Sequence, residues 1–251
     1  MEMQDGPTFR IATYNAHSCR GLDRRTRPER IAAVLSETEA DIIALQEVWS
    51  AEGDESEREQ VRRIAETLGL KYCFGGNWSR GDRAYGNAVL SRWPLHAERN
   101  YDISLYGRQR RGCLRADVMV EDVALLHIFN VHLGLSLKER KYQSRKLVSE
   151  GILADPGLTG LRVVLGDFND WTRGLTQRFL DAQFHSVDIR RHLRRARTYP
   201  GWLPIFHLDH IYYDPALEIK RLRLHRSRAA LVASDHLPLV ADFRFRLPAV
   251  G

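Results

Sequence analysis

Residues 161–169 read LRVVLGDFN: a β-branched, apolar run that stops at Gly166 and is followed by an acid, Asp167, and an amide, Asn169. The run fits a strand over 161–168. Strand residues two apart share a face, so Asp167 and Asn169 are expected to project together. An apolar strand that ends in a carboxylate needs a reason, because a buried carboxylate is costly unless it is paired or binds a cation.

The same construction recurs along the chain. Residues 9–15 (FRIATYN) end at Asn15, and residues 41–48 (DIIALQEV) carry Glu47. Residues 123–133 (VALLHIFNVHL) bring Asn130 and His132 to one face. The short strings LDH and SDH supply Asp209, Asp235 and His236. Singly, each has an ordinary explanation: a turn former, a helix cap, a satisfied core histidine. As a set, they describe polar groups gathered on one rim, which a site explains better than packing does.

Helical patterns separate these strands. Pro28 suits a first helical turn, and Ile31, Val34 and Leu35 follow at helical spacing. Residues 57–68 place Val61, Ile64, Ala65 and Leu68 on one face before Gly69. Ser136 and Glu139 have capping-box spacing and open a helix expected to reach about Leu153. A further helix is expected over 175–182. Strands are also expected over 72–77, 87–93 and 112–120, the last forming a hairpin with 123–133 through Glu121-Asp122. From His207 on, the pattern is mostly strand and turn. No Ser/Gly linker interrupts the chain. These features describe one mixed α/β domain, 1–251, rich in antiparallel pairing, with a motif-bearing core over 9–247.

Composition bounds the rest. With 251 residues, 43% hydrophobic and 28% charged, the chain is neither disordered nor a disulfide-packed mini-protein. A chain of this length buries roughly 70–75% of its unfolded surface. No apolar run approaches the ~18–20 residues that span a bilayer. The start, MEMQDGPTFRIATYN, lacks the form of a secretory signal, so a cytoplasmic monomer is expected. Cys19, Cys73 and Cys113 are scattered, which predicts reduced, buried thiols rather than a zinc site. The net charge is +6, and all but five of the 38 Lys and Arg residues are arginine. A basic surface suits a polyanion; an arginine-rich genome produces the same composition. The basic residues cluster at Arg108, Arg110 and Arg111, between Lys138 and Lys146, from Arg190 to Arg197 and from Arg221 to Arg228.

The strings TYNAHS, ALQEV, YGNAVLSRWP, NVHLG, LGDFND, LDHIYY and SDHLPLVADF together resemble the endonuclease/exonuclease/phosphatase superfamily of DNase I-like, metal-dependent phosphohydrolases. The likeness runs from Arg10 to Phe243. It implies a four-layered α/β (α+β) sandwich, two facing mixed β-sheets flanked by helices, with the site at one edge. It also implies Mg²⁺ or Mn²⁺ as cofactor. Glu47 would be the main metal ligand, with Asn15 and Asp235 contributing directly or through water. His236 would do acid–base work, held by Asp209. Asp167 would orient or deprotonate the attacking water, Asn169 would bond the phosphoryl oxygen, and His132 would be a second donor. The chemistry agrees: a divalent ion neutralises an ester under attack, and hard cations take oxygen ligands and keep waters.

One departure stands out. DNase I-like enzymes carry a carboxylate just before the strand matching NAVLSR, where it supports the histidine matching His132. Here that stretch is Ala84-Tyr85-Gly86-Asn87, and the partner of His132 is unassigned. The resemblance implies a phosphodiesterase, with nucleic acid somewhat ahead of phospholipid as substrate. A phosphoinositide-type phosphatase and an inactive binding module are the alternatives. The arginines of 190–197 with Tyr199, Trp202 and Phe206 suit phosphate and base contacts. The same aromatic loop suits a lipid interface, or packing on the sheet.

Overall fold

A computed structural model describes residues 3–51, 59–170, 180, 184–186, 198–200 and 206–248. The helix expected over 175–182, the arginine run 190–197 and residues 201–205 lie outside the described residues, apart from Leu180.

The first half of the chain forms β1 (Met3–Asn15), α1 (Pro28–Ser36), β2 (Ile42–Ala51), α2 (Gln60–Leu68), β3 (Lys71–Arg80), β4 (Arg83–Ser91) and β5 (Leu95–Asp102). The second half forms β6 (Gly112–Val120), β7 (Ala124–His132), α3 (Leu137–Leu147), β8 (Leu161–Asp167), β9 (His185–Ser186), β10 (Asp209–Tyr213), β11 (Leu217–Leu224), α4 (Ala230–Ala233) and β12 (Leu239–Pro248). The strands make two six-stranded sheets, ordered β11-β12-β1-β2-β4-β3 and β5-β6-β7-β8-β10-β9.

Each sheet is antiparallel except for one pair: β1 with β2, and β7 with β8. Both parallel pairs need a crossover, and α1 and α3 supply it. Each sheet is thus built around one βαβ unit. A crevice at the carboxyl ends of parallel strands is where α/β sheets hold ligands, and Asn15, Glu47, His132 and Asp167 all lie at or near such ends.

Alternation along the strands builds the layers. In β1, Phe9 and Ile11 point between the sheets, where they meet Ile42, Val89, Leu114, Ile128, Leu165 and Phe243. Ala12 and Tyr14 point outward against Ile31, Val34, Leu35, Val61, Ile64 and Ala230 from α1, α2 and α4. On the far face of the second sheet, Phe129, Val131 and Val164 pack with Leu147 of α3 and with Ile152, Leu153 and Leu158. This is the four-layered sandwich. Each large apolar side chain so buried contributes roughly 1.5–3 kcal/mol.

Local signals hold in detail. Ser136 and Glu139 form the capping box, and Gly69 closes α2 with φ +66°. Glu121 and Asp122 turn the β6–β7 hairpin with φ +49° and +54°. β1 begins at Met3 rather than at residue 9, and β4 covers Arg83–Ser91 rather than 87–93; α3 and β5 depart furthest from expectation. α3 stops at Leu147 rather than about Leu153; residues 148–154 fold into turns, with the Leu153 N–H donating to the Leu147 carbonyl at 3.0 Å. Ile152 and Leu153 still bury their side chains, so the apolar spacing survives the helix end caused by Ser149-Glu150-Gly151. β5 is an edge strand with mostly exposed side chains, and its sequence has no apolar alternation to mark it.

Candidate active site

The site residues meet at the sheet edge where the parallel pairs end. Glu47, His132, Asp167, Asn169, Asp235 and His236 line one cleft of about 310 Å³, with Tyr85, Gln109, Arg111, Leu135, Tyr199 and Leu208. Asn15 and Asp209 stand behind this wall, both buried. Glu47 and His236, far apart in sequence, therefore share one cavity.

Backbone devices aim these groups. Regular alternation would send Glu47 to the outer face with Leu45. Instead, the β2–β4 register shifts between Leu45 and Val48, and Glu47 adopts φ +58°. This bulge turns its carboxylate toward the cleft. Gly166 (φ +139°) is required where β8 passes β7: a Cβ there would lie 1.9 Å from the Val131 carbonyl oxygen. That close approach sets His132 and Asp167 side by side in register. Asp209 starts β10 opposite Asp167. The Ser234 hydroxyl donates to the Asn15 carbonyl at 2.8 Å and so ties the SDH segment to the end of β1.

Asn15 links the two nearest carboxylates. Its Nδ2 donates to Glu47 Oε1 and to Asp167 Oδ2, each at 3.0 Å. Its Oδ1 accepts the His17 N–H. Asn169, at φ +47°, donates through its backbone N–H to Asp167 Oδ1 at 2.9 Å and through Nδ2 to the Leu133 carbonyl.

The two histidines are in opposite electrostatic settings. His236 Nδ1 donates to Asp209 Oδ2 at 2.9 Å, and its Nε2 lies 3.7 Å from Asp167 Oδ2. Burial opposes its charge, but Asp209, Asp167 and Asp235 outweigh burial and raise its pKa, so the imidazolium is favoured. His132 is held neutral by burial first, then by Arg111 and His236. Its Nδ1 lies 3.4 Å from Arg111 Nη1. A guanidinium only donates, so Nδ1 accepts and the His132 proton sits on Nε2. That Nε2 is 3.7 Å from both Glu47 Oε1 and Asp167 Oδ2. The Asp167 carboxyl is raised by burial and by Asp209, with His236 pulling the other way.

Several residues of the site escaped the sequence reading. Arg111 is 5% exposed, and its Nε has no hydrogen-bond partner. Among the described residues, no carboxylate lies within ion-pair distance of it. The signal was in the hairpin: Cys113 pairs with Val131, so counting outward places Arg111 beside the end of β7. Tyr85 occupies the stretch where the family carboxylate is missing; burial and then Glu47 raise its pKa. Beneath the cleft, Gln46 Nε2 donates to Asn130 Oδ1 at 2.7 Å. Asn130 Nδ2 in turn donates to the Leu45 and Ala88 carbonyls at 2.8 Å. This amide layer spans both sheets between the apolar core and the site.

Four carboxylates, two imidazoles and one guanidinium converge here. Oxygen donors of this kind suit a hard divalent cation. Among the described residues, no three His, Cys, Asp or Glu side chains are grouped so that they could hold a metal ion among themselves; an ion here would take few protein ligands and keep several waters.

Comparison with known proteins agrees. Residues 12–236 match the model of the Endonuclease/Exonuclease/phosphatase family. The chain is 30% identical over 248 residues to the uncharacterized protein YbhP of Escherichia coli (strain K12), covering 94% of this chain and 96% of that one. It shares the fold of an endonuclease/exonuclease/phosphatase family protein from Bacteroides thetaiotaomicron, with TM-score 0.78 and 19% identity, covering 97% and 100% of the two chains. The mannosyl-6-phosphatase Bt3783 of the same organism superposes with TM-score 0.76 at 17% identity, over 94% and 99%. With its strand-end motifs, two-sheet sandwich and matching family model, the chain belongs to the endonuclease/exonuclease/phosphatase family.

Proposed function

We propose that this chain is a single-domain phosphodiesterase that works with Mg²⁺ or Mn²⁺. The observation that carries the reading is the convergence of Glu47, Asp167, the Asp209–His236 pair and the His132–Arg111 pair on one cleft. Glu47 would hold the ion, with Asp235 beside it and Asn15 acting through Glu47 or a water. The ion, when bound, offsets the charge of the phosphoryl group and polarises it.

The chain's own groups do the rest. Asp167, a carboxyl of raised proton affinity, accepts a proton from the attacking water. His236, kept charged by Asp209, gives its Nε2 proton to the leaving oxygen as the ester bond breaks. His132 hydrogen-bonds one phosphoryl oxygen through Nε2–H, and Asn169, which lines the cleft and orients Asp167 through its backbone N–H, bonds another through its side-chain amide. Arg111 supplies the buried positive charge that an anionic ester would pair with.

The nucleic-acid reading leans on the arginine and aromatic run over 190–206, most of which lies outside the described residues. One described feature favours a phospholipid ester instead. Leu135 stands at the cleft and is 62% exposed, offering an aliphatic contact to an acyl chain and nothing to a phosphate backbone. Purified protein assayed with Mg²⁺ and with EDTA against plasmid, single-stranded DNA, phospholipid vesicles and bis-p-nitrophenyl phosphate tests both levels. Metal-dependent cleavage of the diesters supports the reaction. Plasmid nicking without lipid cleavage returns nucleic acid to first place.

A further inference from the structure

We propose that the outward face of α3 and the adjoining loop dock this protein on an anionic lipid bilayer. This deepens the phospholipid reading, but its test measures binding apart from turnover, so either can fail without the other.

α3 packs on the sheet through Leu147 and also buries Glu139, Arg140, Gln143 and Ser144, and it turns Leu137, Lys138, Lys141, Tyr142 and Arg145 to solvent. These five recur at spacings of one, four, five and eight, which places them on one helical face. Leu137 is 54% exposed, and the ammonium of Lys146 lies 6.0 Å from the Tyr142 ring centroid. Three cations at the centre of this face, flanked by Leu137 and Tyr142, can meet anionic headgroups while the leucine and the tyrosine ring reach into the interface.

The neighbouring β5–β6 loop repeats that composition. Tyr106 is fully exposed, with exposed Arg108 and Arg110 after it. The two segments are neighbours: Tyr101, Ile103 and Leu147 share one core cluster, and Lys146 acts on Asp102 at the loop base. Both reach the cleft, the loop through Gln109 and the helix through the preceding Leu135. Apart from Asp102 at the loop base, which lies 3.9 Å from Arg110, neither 103–111 nor 135–146 carries an exposed carboxylate, because Glu139 is buried. Charge complementarity therefore selects an anionic partner. The aliphatic members select lipid over nucleic acid, since leucine gains nothing from a phosphate backbone. Docked this way, the cleft mouth would face the headgroup layer.

The full chain would be sedimented with vesicles of phosphatidylcholine alone and of phosphatidylcholine mixed with phosphatidylglycerol. Binding to the mixed vesicles, weakened by salt, is expected. The triple variant Lys138→Glu/Lys141→Glu/Arg145→Glu should weaken it by at least roughly fivefold per cation. The double variant Leu137→Ser/Tyr142→Ser should weaken it about tenfold. Both variants should keep wild-type rates on bis-p-nitrophenyl phosphate, showing that the fold and cleft are intact. Equal binding by the Leu137→Ser/Tyr142→Ser variant, or no preference for the anionic vesicles, overturns the proposal. So does displacement of the protein into the supernatant by single-stranded DNA with the same loss in the charge variant, which assigns the face to nucleic acid.

Discussion

Arg111 Nη1 stands 3.4 Å from Nδ1 of His132, where DNase I-like relatives are expected to place a carboxylate. The exchange inverts the chemistry of that histidine. A carboxylate partner would favour the imidazolium; here burial first, and then the guanidinium, favours the neutral ring, with its proton on Nε2. His132 then serves as a hydrogen-bond donor, and His236 carries the site's imidazolium charge.

Arg111→Met should lower kcat/KM for a phosphodiester by roughly tenfold to a hundredfold, the worth of a charge-assisted hydrogen bond of about 1.5–3 kcal/mol. Arg111→Lys should recover only part, because an ammonium cannot hold His132 and phosphate with a planar fork. Steady-state kinetics and inhibition by inorganic phosphate check this. Unchanged values in Arg111→Met would remove Arg111 from the site.

The contrast between Arg111 and Glu47 shows what was legible in the chain. Strand-end acids, amides and imidazoles announced themselves, since each interrupts an apolar run that physical cost should keep apolar. The mixed α/β class was legible in the alternation of those strands with helical patterns, and the sandwich was implied by the family resemblance that the strand-end motifs carry. Arg111 was hidden among other arginines, because its role depends on hairpin register rather than on local pattern. How Glu47 reaches the cleft was hidden too: simple alternation points it away, and only the bulge turns it in. β5 and the end of α3 went unread because edge strands and turn-ended helices carry weak periodic signals.

Asn130→Leu should destabilise the fold by about 3 kcal/mol. It strips the donors from two buried carbonyls, those of Leu45 and Ala88, and the acceptor from Gln46. A lower urea midpoint with an unchanged slope is the expected result. A midpoint equal to wild type would mean that the amide layer adds nothing to stability.

Away from the site, Asp117 sits between His127 and Arg115, at 2.7 Å and 2.9 Å. Burial alone would raise its pKa, yet His127 and Arg115 bring it below the ordinary value. A carboxyl depressed by folding stabilises the fold above its unfolded value of about 3.9, and that contribution is lost as pH falls through the folded value. Asp117→Asn should therefore melt earlier than wild type at neutral pH, with the gap closing in acid. Thermal melts across that range decide it, and a gap independent of pH would refute the linkage.

Cys19, Cys73 and Cys113 are free and buried, and burial pushes all three thiols upward. A thiol reagent such as DTNB should label none in the native protein and all three after denaturation. Rapid native labelling of any one would contradict its burial.

The most direct test of the central claim is the initial rate of bis-p-nitrophenyl phosphate hydrolysis for wild type, Glu47→Gln and His236→Ala, each with Mg²⁺ and with EDTA. Wild-type activity is expected to be abolished by EDTA and restored by Mg²⁺. Both variants should lose about a thousandfold, the scale of removing one preorganised charged group. Full activity in EDTA, or in either variant, would contradict the claim.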